Sequence, residues 1–225
     1  MLLLRFDGVS KDYLSNGTRV RALESITLDV APKEFVALVG RSGCGKSTLL
    51  NLAGAMDFPT SGEVWLDGQP TTKLSDDGLT KLRREKVGFI FQSFQLLPTL
   101  TVIENVELPL LLAGRLDARE PARDCLRWVD LEGLENRFPH QLSGGQQQRV
   151  AIARALIHSP RLLLADEPIG NLDTATGNLI LELLRRIVTE RGTTILMATH
   201  SVESTAFADT VIHLRDGRIT EVCRR

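Results

Sequence analysis

Nine residues, Gly40-Arg41-Ser42-Gly43-Cys44-Gly45-Lys46-Ser47-Thr48, constrain this chain more than any others. They follow the apolar run Phe35 to Val39, which reads as a buried strand, and precede the helix start Ser47 to Leu52. A strand, a glycine loop and a helix in that order aim several backbone N–H groups at one point. The helix N-terminus adds the positive end of its dipole. The spacing G-x-x-x-x-G-K-[ST] in this context is a phosphate-binding loop. Lys46 is expected at the β- and γ-phosphates of a nucleotide, and the Ser47 hydroxyl on Mg²⁺.

The surrounding pattern predicts an α/β fold. Leu2 to Val9, Ile26 to Val30 and Glu63 to Asp67 read as strands around turn signals such as Ser15-Asn16-Gly17 and Asp67-Gly68. A polar helix is expected over Ser75 to Glu85, then a strand over Val87 to Phe91. From Ser93 to about Pro160 only helical patterns occur: Thr101 to Leu112, Asp117 to Val129, and Ser143 to Ile157 with Ser143 as N-cap. Strand–helix alternation resumes with the strand Arg161 to Asp166, a helix from Thr174 to Glu190 and the strand Thr193 to Thr199. Leu179, Ile180, Leu183, Leu184, Ile187 and Val188 are expected on that helix's buried face. A hairpin over Val211 to Val222 closes the pattern. This predicts a mostly parallel sheet core with an N-terminal antiparallel part and an inserted helical part. One domain spans 1–225, with a core of 1–92 and 161–225 and a helical subdomain of 93–160.

Chemistry concentrates where apolar strands end. Leu162 to Ala165 runs into Asp166-Glu167. Two carboxylates at the end of a buried strand are costly to desolvate without a cation. Asp166 is therefore expected on Mg²⁺, and Glu167 on a water aimed at the γ-phosphate. Gln92 ends another apolar strand, where its amide oxygen suits Mg²⁺ or that water. His200 ends a third and is placed to hold the γ-phosphate. Ser143-Gly144-Gly145-Gln146 at a helix start makes a second anion-binding nest. A plain loop and cap has the same spacing. If the nest is real, one nucleotide reaches both sites only across two facing subunits. Tyr13, the only tyrosine, is a candidate to stack on adenine, with ordinary packing as the plainer reading.

Composition excludes several classes. Twenty-seven basic and 28 acidic residues leave a net charge of −1, which argues against a nucleic-acid partner. Cys44, Cys125 and Cys223 are odd in number and widely spaced, which fits neither a disulfide framework nor a CxxC zinc site; a reducing compartment follows. Met1 to Val9 is too short and too charged for a signal peptide, and no apolar run is long enough to span a bilayer.

In this order, Tyr13, Gly40 to Thr48, Gln92, Leu142 to Gln146, Leu162 to Glu167, Gly170 to Asp173 and His200 resemble the ATP-binding subunit of an ABC transporter over about residues 2 to 222. The segment Phe91-Gln92-Ser93-Phe94-Gln95-Leu96-Leu97-Pro98-Thr99-Leu100-Thr101 looks like the macrolide-exporter and lipoprotein-releasing branch, which also holds cell-division and peptide-resistance relatives, and Gln146-Gln147-Gln148-Arg149 and Gly170-Asn171-Leu172-Asp173 suit that branch. Ile169 and Ser201 depart from the family pattern, which usually has Thr or Ser and Asp there.

The resemblance implies an ATP- and Mg²⁺-dependent ATPase. It implies a homodimer that sandwiches nucleotide between Lys46 of one subunit and Ser143-Gly144-Gly145 of the other, with Asp173 communicating between sites. It further implies a peripheral position on the cytoplasmic face of the inner membrane and a few-span permease with a large external domain. Phe94, Leu96 and Leu97 are expected beside the groove for that partner. The two functions it leaves open are transport and a transport-free regulatory role. Soluble relatives with long coiled-coil insertions or tandem cassettes fit less well, since this chain has neither. A bulky thiol reagent is expected to reach Cys44 and block the loop.

Overall fold

The computed structural model describes residues 2–15 and 17–225, so Asn16, the centre of one expected turn, lies outside the described residues. Two sheets form. β1 (Leu4–Ser15), β2 (Thr18–Val30), β4 (Ser61–Leu66) and the short β5 (Gln69–Pro70) make an antiparallel sheet in the order β2-β1-β4-β5. β3 (Phe35–Val39), β6 (Val87–Ile90), β7 (Leu162–Asp166), β8 (Thr194–Thr199), β9 (Thr210–Arg215) and β10 (Arg218–Arg224) make the second, ordered β10-β9-β3-β8-β7-β6. It is parallel except for β10, which returns antiparallel along β9 at one edge.

Strand periodicity explains the layering. Successive side chains on a strand point to opposite faces. Phe35, Ala37 and Val39 join one apolar core, while Val36 and Leu38 join another. The first core packs α3 (Val102–Leu112), α4 (Arg119–Trp128), α5 (Gly144–Leu156) and α6 (Thr174–Arg186) on one face of the parallel sheet. The second places α1 (Lys46–Ala53), α2 (Asp76–Lys86) and the antiparallel sheet on the other. Among the described residues, no strand lies between β6 and β7, and no helix is long and apolar enough to cross a membrane.

Two expectations change. β1 and β2 extend far beyond the apolar runs that announced them. Their outer ends are an exposed ribbon whose polar residues pair across strands, with Arg19 and Arg21 both on Asp12 at 2.6 and 3.0 Å. Such a ribbon has no buried face to mark it by alternation. On α6, Leu179 is 51% exposed and Leu181 is buried instead. The buried stripe runs Gly177, Ile180, Leu181 and Leu184, at spacings of three and four, with Leu183 at its flank.

Candidate nucleotide and magnesium site

The phosphate loop ends at α1 in an unusual way. Gly45 is the N-cap, at φ 107°, and no side chain caps the helix. A Cβ there would lie 2.6 Å from the Ala22 carbonyl oxygen, so only glycine fits. The first-turn N–H groups therefore point into a cavity of about 680 Å³ with no protein side chain to accept from them. Arg41, Ser42, Gly43, Gly45, Lys46, Ser47 and Thr48 line that cavity together with Gln92, Asp166, Glu167 and His200. Four separate strand ends thus meet at one place, because β3, β6, β7 and β8 are neighbours in the sheet and run parallel.

Lys46 is 7% exposed. Its Nζ donates to the Gly40 carbonyl at 2.8 Å and to the Arg41 carbonyl at 3.3 Å, and lies 3.8 Å from Glu167 Oε1. The other Glu167 oxygen, Oε2, is 2.8 Å from His200 Nδ1 and accepts the His200 backbone N–H at 3.4 Å. Glu167 itself sits at φ 48°, a region that non-glycine residues enter rarely. Its N–H donates to the Ala198 carbonyl at 3.0 Å, and its carbonyl accepts from Gly170 at 3.0 Å. Those backbone bonds over-determine the strained conformation and fix where the carboxylate points.

Gln92 faces the loop after β7. Its amide nitrogen donates to Asn171 Oδ1 at 3.4 Å, and Asn171 returns a bond to the Gln92 carbonyl at 3.0 Å. This leaves the amide oxygen as the group a cation would use. Ser47, Gln92 and Asp166 then offer a hydroxyl, an amide oxygen and a carboxylate on one cavity, an all-oxygen set that fits Mg²⁺.

The remaining expected residues lie elsewhere. Ser143 caps α5 in a reciprocal box: Gln146 N–H donates to Ser143 Oγ at 3.3 Å, and Ser143 N–H to Gln146 Oε1 at 3.0 Å. With Gly144 and Gly145, these residues do not line the cavity. Asp173 caps α6, and the Thr176 hydroxyl and N–H hold its carboxyl below the usual range. Tyr13 is also outside the cavity lining. Its hydroxyl donates to Asp57 at 2.9 Å, Lys11 lies over its ring, and burial followed by Asp57 raises its pKa. Cys44 is a correction. Its side chain is buried in the core shared with the antiparallel sheet and lines a cavity behind the loop. A thiol reagent therefore meets the half-buried Cys223 before Cys44.

Three polar residues position the site in ways the sequence does not show: Asn105 and Arg154 belong to no motif, and Gln148 stands in the run Gln146 to Arg149, which gives it no partner. Asn105, fully buried on α3, accepts from Leu97 N–H and donates to the carbonyls of Leu97, Leu100 and Thr101 at 2.8–3.1 Å. Arg154 on α5 donates to the Phe94 and Gln95 carbonyls at 3.0 and 2.7 Å. Both of those residues have positive φ, and burial lowers the Arg154 pKa. Gln148, also on α5 and fully buried, donates to the Pro168 carbonyl at 2.6 Å. The turn after Gln92 and the turn after Glu167 are therefore both tied to the helix that starts at Ser143.

Comparison with known proteins agrees with this geometry. Residues 23–170 match the family model described as ABC transporter. The ABC transporter ATP-binding protein MJ0796 of Methanocaldococcus jannaschii is 45% identical over 96% of this chain and 95% of its own length. The lipoprotein-releasing system ATP-binding protein LolD of Geobacter metallireducens is 48% identical over 96% of this chain and 97% of its own. The dimeric, post-hydrolysis structure of the MJ0796 cassette bound to ADP and Pi matches with a TM-score of 0.90 at 44% identity, covering 98% of each chain. The match over most of the chain, together with the phosphate loop and the paired carboxylates on a P-loop NTPase fold, shows that this chain belongs to the ABC transporter ATP-binding family.

Proposed function

We propose that this chain is the ATP-hydrolysing subunit of a membrane complex of the lipoprotein-releasing and macrolide-exporting branch, working as a homodimer on the cytoplasmic face of the inner membrane. The observation that carries the reading is the meeting of Lys46, Asp166, Glu167 and His200 on one cavity of about 680 Å³. The 48% identity to a lipoprotein-releasing relative supports the branch. The dimeric state of the MJ0796 cassette supports the assembly.

Lys46 now donates to loop carbonyls and lies near Glu167. An arriving γ-phosphate offers it a stronger, charged acceptor. Lys46 then moves to the phosphate, and His200 exchanges Glu167 for a γ-phosphate oxygen. That frees the carboxylate to take a proton from water as the water oxygen attacks γ-phosphorus. The bond to the bridging oxygen of ADP breaks. Ser47, Gln92 and Asp166 would hold Mg²⁺, which when bound neutralises charge on the phosphate oxygens. Ser143-Gly144-Gly145-Gln146 of the second copy closes over the nucleotide, and Asp173 lies on the loop that faces it.

An apolar groove of about 530 Å³ lies between the core and the helical segment, lined by Met56, Phe89, Phe91, Leu108, Pro109 and Leu112. It is the proposed seat of the permease. Phe94, Leu96 and Leu97, expected beside it, do not line it: Leu97 is 42% exposed elsewhere and Leu96 packs on the core.

The test is Glu167→Gln. It should keep MgATP binding, slow turnover by about 10²–10⁴-fold, and accumulate as a dimer. Hydrolysis at the parental rate would remove Glu167 from the mechanism. Used as bait in solubilised membranes, the same variant should recover a few-span permease with a large external domain. Recovery of a many-span importer would overturn the branch while leaving the ATPase.

A further inference from the structure

The β9–β10 hairpin carries donors that nucleotide chemistry does not use. The ladder starts with Arg218 opposite Arg215 and Ile219 opposite Leu214. Continued in step, it would set His213 opposite Thr220 and Val211 opposite Val222. Instead the register shifts by one residue, so His213 faces Glu221 and Val211 faces Cys223. The Thr220 hydroxyl donates to the His213 carbonyl at 3.2 Å and pins the bulge. One extra residue thus moves Glu221 and Cys223 onto the face that carries His213.

The ligand atoms of His213, Glu221 and Cys223 all lie within 4.8 Å of one another. Cys223 Sγ is 3.3 Å from Glu221 Oε1. No other three His, Cys, Asp or Glu side chains converge this way among the described residues. Among those residues Glu221 pairs with no Lys or Arg, although the hairpin carries Arg215, Arg218, Arg224 and Arg225. No hydrogen bond engages the His213 ring there either. His213 and Cys223 are partly covered and Glu221 is exposed, so an ion can enter from solvent.

We propose that His213, Glu221 and Cys223 form a binding site for a divalent cation of the Zn²⁺ class, with a fourth position left to water. The mixed nitrogen, sulfur and oxygen set selects that class; Mg²⁺ and Ca²⁺ prefer oxygen alone. Tetrahedral zinc holds its ligand atoms about 3.3–3.8 Å apart, so side-chain motion of about 1 Å closes the cluster. Cys223 binds as thiolate, and its proton leaves to solvent. The site braces a hairpin that backs the phosphate loop, since Gly217 N–H donates to the Cys44 carbonyl at 3.1 Å and His213 pairs with Val39 of β3.

The test uses Co²⁺ as probe on the chelator-washed, nucleotide-free full chain. One equivalent should bind with a sulfur-to-cobalt charge-transfer band that Zn²⁺ abolishes. Cys223→Ser should lose the band. His213→Ala and Glu221→Gln should each weaken Co²⁺ binding by more than about tenfold, while Cys125→Ser changes nothing. Zn²⁺ should raise the melting temperature of the parent and leave that of Cys223→Ser unmoved. Cobalt binding without the sulfur band would overturn the site, since the Ser47 cavity offers oxygen donors and the His200 ring but no sulfur. So would a band that persists at parental affinity in both His213→Ala and Glu221→Gln.

Discussion

α1 and α5 both have glycine at or next to the N-cap, yet the two helix starts are built oppositely. α1 starts at Gly45 with no side-chain cap, so its first N–H groups remain donors in search of an acceptor. α5 starts at Ser143 with a complete capping box that already satisfies two such groups from within. A helix end left unsatisfied in the folded chain is a poor stability device and a good ligand site. A capped end is the reverse. The first therefore suits a nucleotide that binds a single chain, and the second a contact that forms only when another copy arrives.

Substitutions sharpen that contrast. The largest effect should come from Gly45→Ala, which adds backbone strain and a clash with Ala22 at the uncapped end. Together these cost about 2–6 kcal/mol, read as a lowered urea midpoint. An unchanged midpoint would show that the loop can relax and that the uncapped geometry is not enforced. Next comes Lys46→Ala. Losing a charged hydrogen bond to phosphate is worth about 1.5–3 kcal/mol, roughly 10- to 100-fold in ATP affinity by titration calorimetry, with stability little changed.

Ser143→Ala should do the opposite. It should lower stability by about 0.5–2 kcal/mol, leave ATP affinity of the single chain intact, and impair the MgATP dimer seen by sedimentation. Weaker ATP binding by the monomer would erase the distinction between the two helix ends.

The smallest effect concerns His158, at the rim of the apolar groove beside Arg83 and Arg84. Burial lowers its pKa, against a raising contribution from its bond to the Val87 carbonyl. The folded chain then binds fewer protons than the unfolded one below about pH 6.5, the ordinary histidine value. Stability is full above that pH and declines as pH falls toward the folded pKa. His158→Gln should flatten this slope in melts compared between about pH 7.5 and 5.5. A slope equal to the parent's would assign it to other groups.

What the sequence made legible was whatever repeats or ends abruptly. β3 appears with its expected limits, Phe35 to Val39, because five apolar residues in a row precede a glycine. The Ser143 cap was readable because Ser, two glycines and Gln stand at fixed offsets. The roles of Asn105, Gln148 and Arg154 were not, although Gln148 stands in the branch motif Gln146 to Arg149, because a polar residue in a helix reads the same whether its neighbours are water or backbone carbonyls. Only the fold brings Leu97, Pro168 and Phe94 within reach of them. Leu179 failed for a related reason. Apolar character marks a residue as eligible for the core, while the angle around the helix decides which eligible residues reach it.

The Arg154 guanidinium also acts mechanically. It is a flat, inextensible plate that grips two successive carbonyls, those of Phe94 and Gln95, on a turn already held in left-handed backbone. The grip is rigid, while the aliphatic stem behind it can flex. A swing of the helix it grows from is passed to the turn in part, as a sprung rod passes on the travel of a crank. Displacement of α5 and displacement of the turn after Gln92 are then coupled coordinates of the molecule, with Arg154 as the link between them.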